Sequence, residues 1–145
     1  MFDPSQAEVR QFFCRTWQKH LQQTPLTPLE AMALDLIHLH PEYHAELADE
    51  EKALTTDYSV EQGRTNPFLH LSMHLAIAEQ ESIDQPPGIR AALTTLSARL
   101  DSSHEAAHAV MECLGQTVWE AQRENRMPDS QAYIECIKRR ASRHD

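Results

Sequence analysis

The sequence predicts an all-α protein, a compact helical bundle of about six to seven helices with one long crossover loop. The chain has only three glycines and almost no alternating β-branched run, so it offers little material for strands. Helix start signals recur instead, each with a capping residue before a proline at the first helical position. Apolar residues also follow helical spacing, as Val9, Phe13 and Trp17 do near the start of the chain.

The start signals and the apolar spacing locate the individual helices. The strings "DPSQ", "TPLE" and "NPFL" each indicate a helix start, and Glu30, three residues after Thr27, completes a capping box. Pro41 disfavours helical dihedral angles at His40, so a kink or a new short turn should begin there. We predict helices over residues 4–23, 28–40, 42–48, 67–81, 88–100, 102–125 and 129–142.

The remaining segments predict the domain organisation. Residues 49–65 are polar, and their apolar residues follow neither helical nor strand periodicity, which is typical of a long connection. Long connections in compact domains are often lids. A basic cluster near the end of the chain indicates a flexible tail over residues 140–145. At 145 residues the chain is long enough to bury one core, so we expect a single helical domain over residues 1–145.

Composition and charge exclude several classes of partner. The formal net charge of −9 disfavours a nucleic acid or an anionic membrane, because either would need a basic patch. The chain has no apolar run long enough to span a membrane and does not start like a secretory signal. We therefore expect a cytoplasmic protein without a nucleic-acid or membrane partner. Homo-oligomer formation stays open, and no substrate is indicated.

The cysteines do not indicate a disulfide framework. Cys14, Cys113 and Cys136 are an odd number, are widely spaced and form no C-x-x-C motif. Reduced thiols packed as small hydrophobic side chains are the expectation for all three.

Histidines separated by four residues are more frequent than composition predicts. Nine histidines placed at random would give only ~0.5 such pairs over this length, whereas three occur: His40 with His44, His70 with His74, and His104 with His108. Residues at this spacing lie on one face of a helix, about 6 Å apart along its axis, so their ring nitrogens can converge on one ion. The excess of pairs favours a metal site.

The surroundings of each pair rank the candidate ligands. The segment "PFLHLSMHLAIAEQ" is apolar nearly all round, as interior helices are, so His70 and His74 are expected to be buried. A buried imidazole needs a partner for each ring nitrogen, and that partner is a metal, a backbone group or a carboxylate. From the 40/44 pair we favour His44 as a ligand over His40.

The last pair lies in the string "HEAAHAVME", which places His104, His108 and Glu112 in one row on a helix. We select His108 and Glu112 as ligands and rank His104 below them. "HEAAH" also fits the motif of zinc proteases, but those enzymes need a β-sheet beside the cleft, and this chain has no strands to form one.

The sequence thus predicts a small cytoplasmic metal-binding protein whose ligands come from His44, His70, His74, His108 and Glu112. Mixed nitrogen and oxygen ligation suits iron or zinc, and also manganese, with one or two ions and a redox or hydrolytic role. Whether the chain is an enzyme stays open. The alternative is a non-enzymatic interaction module, or a pH-sensitive structural module, with buried neutral histidines.

Four strings carry a resemblance to a known family: "PLTPLEAMALDLIHLHPEYH", "NPFLHLSMHLAIAEQ", "IDQPPGIR", and "HAVMECLG" with "WEAQR" after it. Over nearly its whole length the chain resembles an uncharacterised bacterial family, domain-of-unknown-function family 1841. The resemblance implies a bacterial cytoplasmic protein and carries over no catalytic residues.

Overall fold

The computed structural model describes residues 6–56, 58 and 66–142. All regular structure in these ranges is helical, which confirms the predicted all-α class. The helices are α1 (Gln6–Leu21), α2 (Pro28–His38), α3 (His44–Leu47), α4 (Glu50–Thr55), α5 (Pro67–Ile83), α6 (Ile89–Leu100), α7 (Ser103–Arg123) and α8 (Ser130–Ser142), with a 3-10 turn at Pro41–Tyr43.

The chain divides into two compact units, one of residues 1–75 and one of residues 76–145, with the boundary inside α5. We refer to them as the N-terminal unit and the C-terminal unit. The expectation of a single domain over the whole chain stays a prediction.

The N-terminal unit is built on α1, which packs against α2, α3 and α4. Its core combines residues of five helices: Phe13, Cys14, Trp17, Ala33, Ile37, Leu47, Ala53, Phe68, Leu71 and Leu75. The predicted capping box starts α2, since Thr27 Oγ1 accepts from the Glu30 amide and Glu30 Oε1 accepts from the Thr27 amide. The apolar stripes that predicted these helices therefore supply the core.

The C-terminal unit contains α6, α7 and α8, each packed against the other two. The side chains that these helices bury include Ile89, Leu93, Leu96, Val110, Ile134 and Ile137. Tyr133 is buried as well, and its hydroxyl donates to Gln80 Oε1 at 2.7 Å, which connects α8 to the second half of α5.

Three predictions about elements differ in detail from the structure. Residues 49–65 were expected to form a loop, yet α4 occupies Glu50–Thr55, with Asp49 Oδ1 accepting from the Lys52 amide. Of that predicted loop, residues 57 and 59–65 lie outside the described residues. The second predicted helix was expected to reach residue 40 and ends at His38, because the proline that follows His40 holds it at φ −128°, ψ 64°. Residues 140–142 of the predicted tail are helical, and residues 143–145 lie outside the described part.

The prediction of three reduced thiols was wrong for two of them. Cys113 of α7 and Cys136 of α8 form a disulfide, with their Cα atoms 5.8 Å apart. Cys14 is a free and fully buried thiol, and burial, with Glu50 and Asp49 nearby, raises its pKa to about 11. A spacing of 23 residues contains no information about which helix faces meet, so the pairing depends on the packing of α7 against α8.

Candidate metal centre

His40 lies between α2 and the 3-10 turn and is only 3% exposed. Its Nδ1 atom lies 2.8 Å from the carbonyl oxygen of Leu36. A carbonyl oxygen can only accept, so Nδ1 carries the proton and, in the neutral ring, Nε2 keeps the lone pair. The last turn of α2 thus fixes the tautomer that presents Nε2 as a ligand atom.

His70 and His74 lie one turn apart on α5, as predicted from their spacing. His74 is 2% exposed and His70 is half-buried, because Phe68, Leu71 and Leu75 direct this part of α5 into the core of the N-terminal unit. Their ring centroids are 4.8 Å apart.

The rings of His40, His70 and His74 form a nearly equilateral triangle, which we call the histidine triad. The centroid of His40 lies 5.0 Å from that of His70 and 4.9 Å from that of His74. Within the triad, ring nitrogens of His40 and His74 lie within 4.8 Å of one another, and both Nε2 atoms are buried. His40 thereby lies beside two histidines that follow it by 30 or more positions in the sequence.

The ring separations in the triad leave room for shared ligation of a single ion. With a Zn–N bond of about 2.0–2.1 Å, a ring centroid lies about 3.2 Å from the ion, so two rings at angles of roughly 90–110° have centroids about 4.5–5.2 Å apart. All three separations in the triad fall inside this interval.

Tyr43 closes one side of the triad. Its ring lies parallel to that of His40 at 5.4 Å and edge-on to that of His70 at 6.1 Å. Burial raises the pKa of the Tyr43 phenol, and the carboxylates of Glu42 and Glu46 raise it further. The phenol therefore stays protonated at neutral pH and offers an apolar face to the triad.

His44, which the sequence favoured over His40, has a different environment. Its ring stacks on Trp17 at 4.3 Å, and its Nε2 atom donates to the carbonyl oxygen of Ile37 at 3.0 Å. The structure thus directs His44 towards α1 and the end of α2. The sequence ranked His40 below His44, although the position of His40 on the core stripe of α2 was the available signal for its burial.

In the C-terminal unit, His104 and His108 form a second close pair near the start of α7. Their ring centroids are 4.4 Å apart, their nearest ligand atoms lie within 4.8 Å, and both side chains are half-buried. Ser102 caps the helix and fixes this register, because its Oγ accepts from the Glu105 amide. The Glu105 side chain that completes "HEAAH" is exposed.

Glu112, the predicted carboxylate ligand, lies at the surface of the same helix. Its side chain is 64% exposed, and Oε2 accepts from Arg140 of α8 at 2.5 Å. The structure therefore gives Glu112 an ion-pair partner between α7 and α8.

The fold and the site together describe an all-α protein with a histidine-rich candidate metal centre. The sequence profile of the family called domain of unknown function 1841 (DUF1841) matches residues 5–139, so the chain belongs to this family. No curated protein and no solved structure matches the chain significantly. Among the described residues, every helix is too short or too polar to cross a membrane.

Proposed function

We propose that this protein binds a divalent transition-metal ion, zinc or iron, through the histidine triad. The observation that supports the proposal is that ring nitrogens of His40, at the end of α2, and of His74, on α5, lie within 4.8 Å of one another, with both Nε2 atoms buried. The ring of His70 lies beside both of them. His104 and His108 offer a second pair of nitrogen ligands. With the triad and this second pair as ligands, the protein would hold one or two ions.

The chemistry of the donors favours zinc or iron over manganese. Imidazole nitrogen suits zinc and iron, whereas manganese prefers carboxylate and carbonyl oxygen. Glu112 is exposed and paired with Arg140. Thiolate ligation is also disfavoured, since Cys113 and Cys136 are joined and burial raises the pKa of Cys14.

The hydrogen bond of His40 supports ligation as well. Metal-bound histidines generally donate their other ring N–H to a carbonyl or a carboxylate, which fixes the ring and raises the basicity of the ligand atom. The 2.8 Å contact from Nδ1 to Leu36 has this form. Three imidazoles on zinc would leave the fourth position to water, as in catalytic rather than structural zinc sites, so a hydrolytic role follows more directly than a redox one.

The test is metal content and affinity in tag-free protein. We expect close to one tightly held zinc or iron ion per chain after desalting, and a loss of affinity of at least about ten-fold in His74→Gln and in His40→Gln. His144→Gln, at the end of the chain, is the matched control and should bind as the parent does. Retention of the full metal content in both triad variants would contradict the proposal.

The second candidate function is a module whose histidines are structural. It is favoured by one observation, that His40 and His44 each donate to a backbone carbonyl of α2. The two candidates differ in their response to a chelator. A ligated triad predicts a melting temperature that falls when a chelator removes the ion at neutral pH, whereas structural histidines predict no change.

A further inference from the structure

Trp17 of α1 lies among three histidines that are not part of the triad. The ring of His44 stacks on it at 4.3 Å, and the centroids of His20 and His38 lie 5.3 Å and 6.1 Å from it. His20 and His38 also contact each other edge-on, with centroids 4.9 Å apart.

The rings of His20 and His38 are close enough for both side chains to bind one ion. Its 4.9 Å separation lies inside the interval of about 4.5–5.2 Å expected for two imidazoles bound at roughly 90–110°. The two side chains come from different helices, so packing of α1 against α2 sets their distance. His38 is exposed and His20 half-buried, so the pair is open to solvent, unlike His40 and His74.

The position of the pair on the helices favours a cation. His20 lies in the last turn of α1 and His38 is the last residue of α2, where the carbonyl ends of the helices carry partial negative charge. The nearest cationic neighbour in sequence is Lys19, and Glu30 accepts from its ammonium at 2.8 Å, which offsets its repulsion. Trp17, at 9% exposure, covers the inner side of the pair with an aromatic ring.

From this geometry we propose that His20 and His38 form a second, surface site for a divalent transition-metal ion, separate from the triad. Two imidazoles suit Cu²⁺, Ni²⁺ and Zn²⁺, and the order of affinities for nitrogen ligands places Cu²⁺ first. Water fills the remaining positions. An ion held by two protein ligands at the surface exchanges readily, so the pair suits acquisition of an ion from solution and the triad suits its retention.

Trp17 provides the experiment, because a paramagnetic ion on this pair would quench its fluorescence. Trp119→Phe leaves Trp17 as the only tryptophan. In this background we expect saturable quenching by Cu²⁺ that Zn²⁺ competes away. His20→Gln and His38→Gln should each weaken the response by at least about ten-fold. His144→Gln is the matched control and should leave it unchanged.

The outcomes separate this proposal from the proposed function. A quenching midpoint that stays the same in both His20→Gln and His38→Gln, or an absence of quenching by Cu²⁺, would overturn the surface site and leave the triad untouched. His74→Gln should lose the tightly held ion and keep the quenching. Zn²⁺-induced shifts of the His20 and His38 imidazole NMR signals at neutral pH give a second readout, and unshifted signals would also overturn the proposal.

Discussion

At the scale of single residues, a hydrogen bond to the backbone determines which nitrogen of a histidine ring is available as a ligand. His40 has a defined tautomer because the last turn of α2 offers the Leu36 carbonyl to Nδ1. His74 could be predicted as buried from the apolar helix around it. The sequence could not predict that His40 would face it, because that depends on where the chain turns after Pro41.

Glu30 provides a prediction about pH. Its pKa is lowered from the ordinary value of 4.5, first by the hydrogen bond from Lys19 and then by the amide of Thr27. A carboxyl whose pKa is lower in the folded state than in the unfolded state stabilises the fold at pH values above its ordinary pKa of 4.5. This stabilisation is lost as the pH falls from 4.5 towards the folded-state pKa. Glu30→Gln keeps the capping box and removes the charge.

We expect Glu30→Gln to lower the free energy of unfolding by about 1 kcal/mol at pH 7. The difference from the parent should shrink as the pH falls below 4.5, as urea unfolding at several pH values would measure. Glu51→Gln, an exposed residue on α4, is the control and should change stability by less than about 0.5 kcal/mol. A deficit that is independent of pH would contradict the role of the charge.

At the scale of elements, α4 shows why sequence reasoning missed a helix. Its six residues are too few to form a stable helix alone. The helix depends on Arg10 of α1, a buried cation whose Nη1 donates to the carbonyls of Ala53 and Thr56 at 2.8 Å and 3.0 Å. A contact across more than 40 residues leaves no local signal in the sequence.

Arg10→Met keeps much of the apolar volume and removes both hydrogen bonds. We expect it to lower the free energy of unfolding by about 2 kcal/mol and to speed amide exchange over residues 50–56. Arg15→Met is the matched control on the same helix, since the contact of Arg15 is an exposed ion pair with Glu50, and its loss should cost less than about 1 kcal/mol. Unchanged exchange in α4 of Arg10→Met would show that the helix does not need this contact.

The disulfide between α7 and α8 gives a second prediction for these elements. Closing a loop of 23 residues should stabilise the fold by about 3 kcal/mol. Unfolding with and without a reductant would measure this difference, and the double variant Cys113→Ala with Cys136→Ala should be insensitive to the reductant. Alkylation after denaturation without a reductant, followed by mass spectrometry, should find a single reduced cysteine, Cys14. Three reduced cysteines would contradict the pairing.

At the scale of the whole molecule, the fold class could be predicted from the sequence, whereas much less of the candidate site could be. Capping residues and apolar stripes are local, so the all-α class and most helix positions could be predicted from signals such as Thr27 and Glu30. Contacts between distant segments could not be predicted, which is why the proximity of His40 to His74 and the disulfide were not foreseen. Glu112 shared a helical row with His108, but the row did not show that Arg140 would pair with it.

The central claim is that imidazoles from separate elements of the N-terminal unit share one ion. X-ray absorption spectroscopy of tag-free protein, loaded with one zinc ion per chain and desalted, tests it most directly. We predict a first shell with three imidazole nitrogens at about 2.0–2.1 Å, reduced by one imidazole in His74→Gln. A first shell of oxygen atoms without imidazole, or protein that retains no zinc after desalting, would contradict the claim.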